Sequence, residues 1–291
     1  MTASTVSTSE RPNRPWPGWL RTVQHDWFIF LLMSAGLVIA LIPLFFMFNI
    51  SLKNPGQFLT KPLEITFPFA WDNYIIAFNV LKRSILNTAG MTVVVVILSL
   101  TISAMAGYAF ARFTFPGKEF LFWFYLSVLF IPDILTFAPK YTVVAGMGIL
   151  DTYLVQILPY VANAQIFQTV VLRSFFSGIS NEIVEAARVD GASIWQVFWN
   201  IVLPMSRPIL ATLAVLRAVG FWDEWVWPLV TVVSYDVRPL GLQVFYLQSD
   251  IGGHVGRQMA GFVIASVPLI ALFIAASKQF VEGLTSGAVK F

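Results

Sequence analysis

Runs free of Asp, Glu, Lys and Arg dominate the chain. Residues 27–52, 84–111, 152–172 and 258–277 are four of them. A bilayer's hydrocarbon core is about 30 Å thick, and a helix crosses it in roughly 20 apolar residues. Each run therefore predicts a transmembrane helix. Two further apolar stretches carry charge. Residues 120–139 contain Asp133, and residues 205–230 contain Arg207, Arg217, Asp223 and Glu224. Counting both predicts six spans and an all-α membrane protein. No run alternates with period two, as the strands of an outer-membrane barrel do. The first run has 26 residues, against roughly 7–15 in a signal-peptide core, so it predicts a retained span.

The polar remainder divides the chain. Residues 1–26 form a tail with a Pro-rich stretch, expected to be extended near its start. Residues 27–280 hold the spans, and residues 281–291 form a second tail. An even number of spans puts both ends on one side. With the ends inside, inner segments hold ten Lys and Arg and outer segments seven, with Arg217 inside a span. The positive-inside rule favours this orientation narrowly, and Lys82-Arg83 stands on the opposing flank.

Composition agrees with a lipid-facing surface. Apolar residues make up 57% of the 291 and charged residues 11%, where a soluble domain carries about 25% charged. Disorder requires the reverse balance. With no Cys, disulfides, thiolate metal sites and Cys nucleophiles are excluded. Two His, His25 and His254, argue against a multi-histidine centre. A net charge of +3 is too small to point to nucleic acid.

The least membrane-like stretch after the N-terminal tail lies between the fourth and fifth spans. Within it, residues 178–204 form a distinct loop. Ser180 or Asn181 caps a helix whose first turn carries Glu182, favourable at a helix N-terminus. That helix runs to Asp190, and Gly191 suits the left-handed position that ends it. A second helix over residues 193–203 follows, and Pro204 is expected to break it. Trp195 and Trp199 share one face, as interfacial anchors do. Ala186 and Ala187 keep one side slim, so another backbone can approach. Local physics alone gives an amphipathic hairpin at the headgroups.

The spacing says more. Glu185-Ala186-Ala187, three residues, Gly191, nine residues, then Ile201-x-Leu203-Pro204 resembles the EAA loop of importer-type ABC transporter permeases. Tyr108-Ala109-Phe110-Ala111-Arg112-Phe113 and Phe115-Pro116-Gly117-Lys118 are similar to the second-span exit of carbohydrate permeases of the maltose-transporter type. Leu150-Asp151-Thr152-Tyr153 looks like their fourth-span entry. The run from Phe221 to Pro228 resembles their fifth-span aromatic motif, with Asp-Glu where Asn-Asp or Asn-Glu is commoner. The run from Gly283 to Lys290 looks like their C-terminal tail.

The resemblance covers residues 27–291. It implies the type I importer permease fold, a bacterial or archaeal cell membrane, and both termini cytoplasmic. It implies a second related permease subunit, two ATPase subunits (a homodimer or a pair) and an extracytoplasmic substrate-binding protein. It also implies that the loop couples to the ATPase through Glu182, Glu185, Ala186, Ala187, Arg188, Asp190, Gly191 and Pro204, with Glu185 the polar contact and Gly191 the elbow. The solute would be a sugar, or a related polyol or glycerol phosphate ester. The chain has no Gly-x-x-x-x-Gly-Lys-Ser/Thr, so ATP and Mg would be used by the partner ATPase, and this chain would bind no cofactor and catalyse nothing.

Charges inside spans are costly against lipid and mark a solute path or a structural ion pair. Asp133, Arg217, Asp223 and Glu224 qualify, with Trp222 and Trp225 as rings for sugar stacking or as interface anchors. At about 1.5 Å per residue, Asp133 lies about 21 Å along the third span and Arg217 about 18 Å along the fifth. These depths predict that the two pair. A self-sufficient ion-coupled transporter, using the same acids, is the main alternative. It leaves the loop unexplained. An intramembrane enzyme would need a nucleophile with a base, or a metal cluster, and no such set stands out.

Overall fold

A computed structural model of the chain describes residues 18–288. The start of the N-terminal tail, expected to be extended, and the last three residues lie outside them.

Helix α1 (Gly18–Ser51) begins within the stretch read as a tail and runs through the first apolar run. A short helix, α2 (Pro55–Thr60), opens on a reciprocal cap between Asn54 and Gln57. The loop after it folds back onto the end of α1. Asn49 Nδ2 donates to the Leu63 carbonyl at 3.1 Å, and Lys53, 2% exposed, donates to the carbonyls of Lys61 and Glu64.

Helix α3 (Asp72–Arg112) has 41 residues, about 60 Å at 1.5 Å each. That is about twice the hydrocarbon thickness, so its first turns stand outside lipid. This accounts for Lys82-Arg83. Its buried face recurs at helical spacing and is rich in small and hydroxyl residues, among them Ala77, Ser84, Thr88, Ser99, Ser103 and Gly107. Lipid tails are as apolar as Leu, so helices in a bilayer associate through close packing and hydrogen bonds instead. Helix α6 (Leu154–Ser177) packs along this face. Ser103 Oγ donates to Gln165 Oε1 at 2.8 Å, and Gln165 Nε2 returns a bond to the Ser99 carbonyl at 3.3 Å.

The third predicted span is not one straight helix. Helix α4 (Lys118–Ser127) passes through a 3-10 turn to Phe130, and α5 (Asp133–Gly146) leaves at 101° to it. Pro132 is the cause, because the residue before a proline is pushed out of helical geometry. Ile131 accordingly sits at φ −83, ψ 115. The helix also continues past Pro139, where the sequence reading ends it.

The loop helix α7 (Asn181–Val189) and α8 (Ile194–Val197) follow. A π-helical stretch, Phe198–Val202, leads into α9 (Leu203–Met205). Pro204 therefore does not break the second loop helix. It sits in the first turn of α9, where a missing N–H is tolerated. The 75° bend falls at Ser206, before α10 (Arg207–Trp222).

The fifth predicted span, residues 205–230, is likewise interrupted. Helix α10 stops at Trp222, and α11 (Val226–Thr231) starts after residues 223–225. A helix continuing through this point would drive the Pro228 ring into the Glu224 carbonyl four residues back. Helix α12 (Leu240–Asp250) lies on the break, and a Cβ added at Gly241 would stand only 2.4 Å from the Glu224 carbonyl oxygen. Only glycine fits there. Helix α13 (Val255–Ala288) closes the bundle against α1, α3 and α10. Among the described residues four helices are long and apolar enough to cross a bilayer, and counting each bent pair as one span gives six.

Candidate functional site

Two places gather the residues singled out by sequence. The first is the helix–elbow–helix between α6 and α10. Ser180 Oγ accepts the Glu182 N–H at 3.2 Å, capping α7. Gly191 has φ +85, and the chain turns there without a side-chain clash. Ser193 and Gln196 cap α8 reciprocally. The inner face of the loop joins a cluster of Tyr108, Leu172, Phe176, Val184, Val197 and Phe198. The outer face is bare. Glu182, Glu185, Ala186, Arg188 and Asp190 are exposed, Val189 is 87% exposed, and Ala187 is half-buried. Trp195 of α8 and Trp199 of the π-helical stretch are both exposed, each edge-on to Phe198.

The second place is a cavity of about 390 Å³ at the break between α4 and α5. Asp133, Lys140, Tyr160, Asn163, Arg217 and Glu224 line it, with Phe137 and Trp227 as aromatic walls. The expected pair between Asp133 and Arg217 does not form. Asp133 Oδ1 instead takes the Lys140 ammonium at 2.7 Å and Asn163 Nδ2 at 3.3 Å. Arg217 donates to the Tyr160 carbonyl, and its guanidinium lies 4.8 Å from the centre of that ring. The turn at Pro132 decides the difference. It starts α5 at Asp133, so Lys140, seven residues on, shares its face. Glu224 accepts the Trp227 N–H at 2.9 Å, which caps α11.

The other path candidates lie elsewhere. Trp222 is buried and donates to the Ala265 carbonyl at 3.3 Å, as a packing residue does. Trp225 stacks on Phe245 at 5.2 Å with the planes 10° apart. With Asp223 they line a separate cavity of about 500 Å³ beside α12 and α13. Trp227 is buried and donates to the Val155 carbonyl at 2.8 Å. Lys140, Tyr160 and Asn163 are additions to the sequence reading. The i, i+7 spacing of Asp133 and Lys140, and Asn163 in a charge-free span, were the available signals.

The fold is that of a multi-pass helical membrane protein, a bundle with two broken spans, a bare helical loop on one end and a polar cavity at a break. Residues 74–284 match the binding-protein-dependent transport system inner membrane component family, and the chain belongs to it. It is 32% identical over 292 residues to the probable ABC transporter permease protein YurM of Bacillus subtilis, covering 98% of this chain and 93% of that one. It is 30% identical over 288 residues to the arabinooligosaccharides transport system permease protein AraQ of Halalkalibacterium halodurans, covering 97% and 99%. A crystal structure of a bacterial ABC transporter that imports the acidic polysaccharide alginate matches with a TM-score of 0.75 at 19% identity, covering 94% of this chain and 100% of that one, which is a likeness of fold. The chain is thus a non-catalytic importer permease of the bacterial membrane. The readings as a self-sufficient transporter or an enzyme fall away.

Proposed function

We propose that this chain is one of two related permease subunits that pass a neutral, polyhydroxylated solute of the sugar class inward. An extracytoplasmic binding protein delivers the solute. Paired ATPases grip α7 from the cytoplasm, where both termini also lie, and they alone use ATP and Mg.

The observation that carries this reading is the bare outer face of α7. It presents Glu182, Glu185 and Ala186 to solvent while its inner face is locked into the bundle. Such a helix is shaped to be seized. Glu185 would be the polar contact, Gly191 the elbow, and Pro204 part of the rod leading to the bend at Ser206.

The cavity favours a sugar over a phosphate ester. Its two acids, Asp133 and Glu224, match its two bases, Lys140 and Arg217. A phosphate would call for surplus cation, whereas a hydroxyl both donates and accepts, so it can meet the acids and the bases alike. The sugar reading also agrees with the solute in AraQ's name.

The test is reconstitution of the chain with its co-expressed partners in proteoliposomes. ATP-driven uptake of a panel of labelled oligosaccharides, polyols and glycerol phosphate is then measured. Uptake of a sugar supports the reading. Uptake of glycerol phosphate alone would reject the neutral-solute assignment, and uptake without ATPase subunits would reject the whole proposal.

A further inference from the structure

The second-span exit, residues 108–113, stands out in the sequence, yet the function proposed above gives it no task. In the structure its last helical residue reaches across to the coupling loop. Arg112 Nη2 donates to the carbonyls of Phe176 at 2.7 Å and Ile179 at 2.6 Å. Its Nη1 donates to Asn181 Oδ1. Phe176 lies in the last turn of α6, Ile179 in the link, and Asn181 is the first residue of α7. One guanidinium thus holds three successive pieces of the junction through which α6 becomes the coupling helix.

We infer that Arg112 is the positioning residue that seats α7 on the bundle, so that α3, α6 and α7 shift as one body when α7 is pulled. This rests on the coupling reading of α7.

Three physical points support it. The Phe176 carbonyl lies at the negative end of the α6 dipole and takes only the long 3.3 Å bond from the Ile179 N–H and a share of the Gly178 N–H, so a cation there is favoured. A guanidinium has a fixed fork of donors, and a lysine ammonium placed there lacks that geometry. The neighbouring packing leaves no slack. A Cβ on Gly107 would come within 3.0 Å of Leu172 Cβ and 3.1 Å of the Arg173 nitrogen. Tyr108, one turn before Arg112, rests against Phe198 of the second loop helix with ring centres 5.1 Å apart. Span two therefore touches both halves of the loop. Span five, by contrast, leaves the loop through a 75° bend. A pull on α7 thus has two routes: a jointed one into α10 and a clamped one into α3 and α6.

The experiment uses the reconstituted transporter with its partners. The chain has no Cys, so spin labels at Phe115→Cys and at the exposed Ile183→Cys report the distance between the end of span two and α7. Arg112→Gln and Arg112→Lys are compared with the parent, and Glu185→Lys is carried as a control on the coupling reading. Arg112→Gln is expected to raise the unseated fraction roughly tenfold, the scale of one charge-assisted hydrogen bond, broadening the distance distribution. It should also raise the ATP hydrolysed per solute moved, with Arg112→Lys in between. A residue serving stability alone would lower yield and both activities together, leaving that ratio unchanged. If Arg112→Gln fails to assemble, Asn181→Ala removes one acceptor and should move distance and ratio the same way by less. A distribution and ratio identical to the parent's, while Glu185→Lys stops transport, overturns the clamp alone. A broadened distribution with normal transport in both Arg112→Gln and Glu185→Lys overturns the coupling reading and the clamp with it.

Discussion

Asp151 shows how much one carboxylate can arrange. It holds φ 57, a left-handed conformation that Asp tolerates better than most residues. Its Oδ1 accepts the N–H of Val233 at 2.9 Å and of Ser234 at 2.8 Å, and its Oδ2 the Ser234 hydroxyl. The Ser234 hydroxyl and N–H hold the carboxyl below the usual carboxylate range. A depressed folded-state value means that the bond contributes fully above the unfolded-state pKa of about 3.9 and is lost as pH falls through the folded-state one. A spin label at Val233→Cys should therefore loosen on acidification in the parent. With Asp151→Asn it should show no such transition. Gly256 is a second case. A Cβ there would meet the Lys53 carbonyl oxygen at 2.3 Å and Asn73 Nδ2 at 2.8 Å. Gly256→Ala should cost about 1–3 kcal/mol, the range for overpacking, and appear as a lower melting temperature of the purified complex. At this scale the sequence was only partly legible. It placed Asp133 and Arg217 at similar depth but said nothing of helix rotation, so Lys140 as partner and Tyr160 as acceptor went unseen.

Among the elements, those governed by local rules were the readable ones. Helix α7 was legible because its determinants lie within twelve residues, from Ser180 to Gly191: a hydroxyl cap, an acid in the first turn, and a glycine at the turn that follows. Gly191→Pro forces φ to about −65, where the observed value is +85. It should misdirect α8 and abolish solute uptake, while the binding protein, assayed alone, keeps its affinity. Uptake at the parental rate would reject the elbow. The breaks at Pro132 and Pro228 were written in the sequence just as locally. Hydropathy hid them, because a sum over roughly 20 residues is insensitive to one proline or to the direction in which a helix leaves. The charged cavity exists only because α5 departs at a steep angle, so it could not be foreseen from a list of straight spans.

For the whole molecule, the count of six depends on treating each bent pair as one crossing. Orientation was the least legible property, since ten cations against seven is a narrow margin. The absence of native Cys makes it testable. A cysteine replacing Ser193, at the start of α8, should resist a membrane-impermeant thiol reagent on intact cells and react in inverted vesicles. Labelling on intact cells would reverse the topology and with it the site proposed for the ATPases.

The break at Phe130–Asp133 also bears on how cells keep this chain. Phe130 is 85% exposed, Ile131 50%, and the Asp133 side chain 68%. Non-helical backbone and ionised groups at bilayer depth persist only against protein or water. With the second permease proposed above absent, this seam would meet acyl chains and mark the chain for membrane quality control. Its abundance should then be set by its mate, not by its own promoter. In a pulse-chase, the chain expressed alone should decay faster than with the second permease, and removing the resident membrane protease should restore it. Equal half-lives with and without the mate would mean that the seam is tolerated by lipid. Subunit stoichiometry would thus be enforced after synthesis, by turnover of the unpaired surplus.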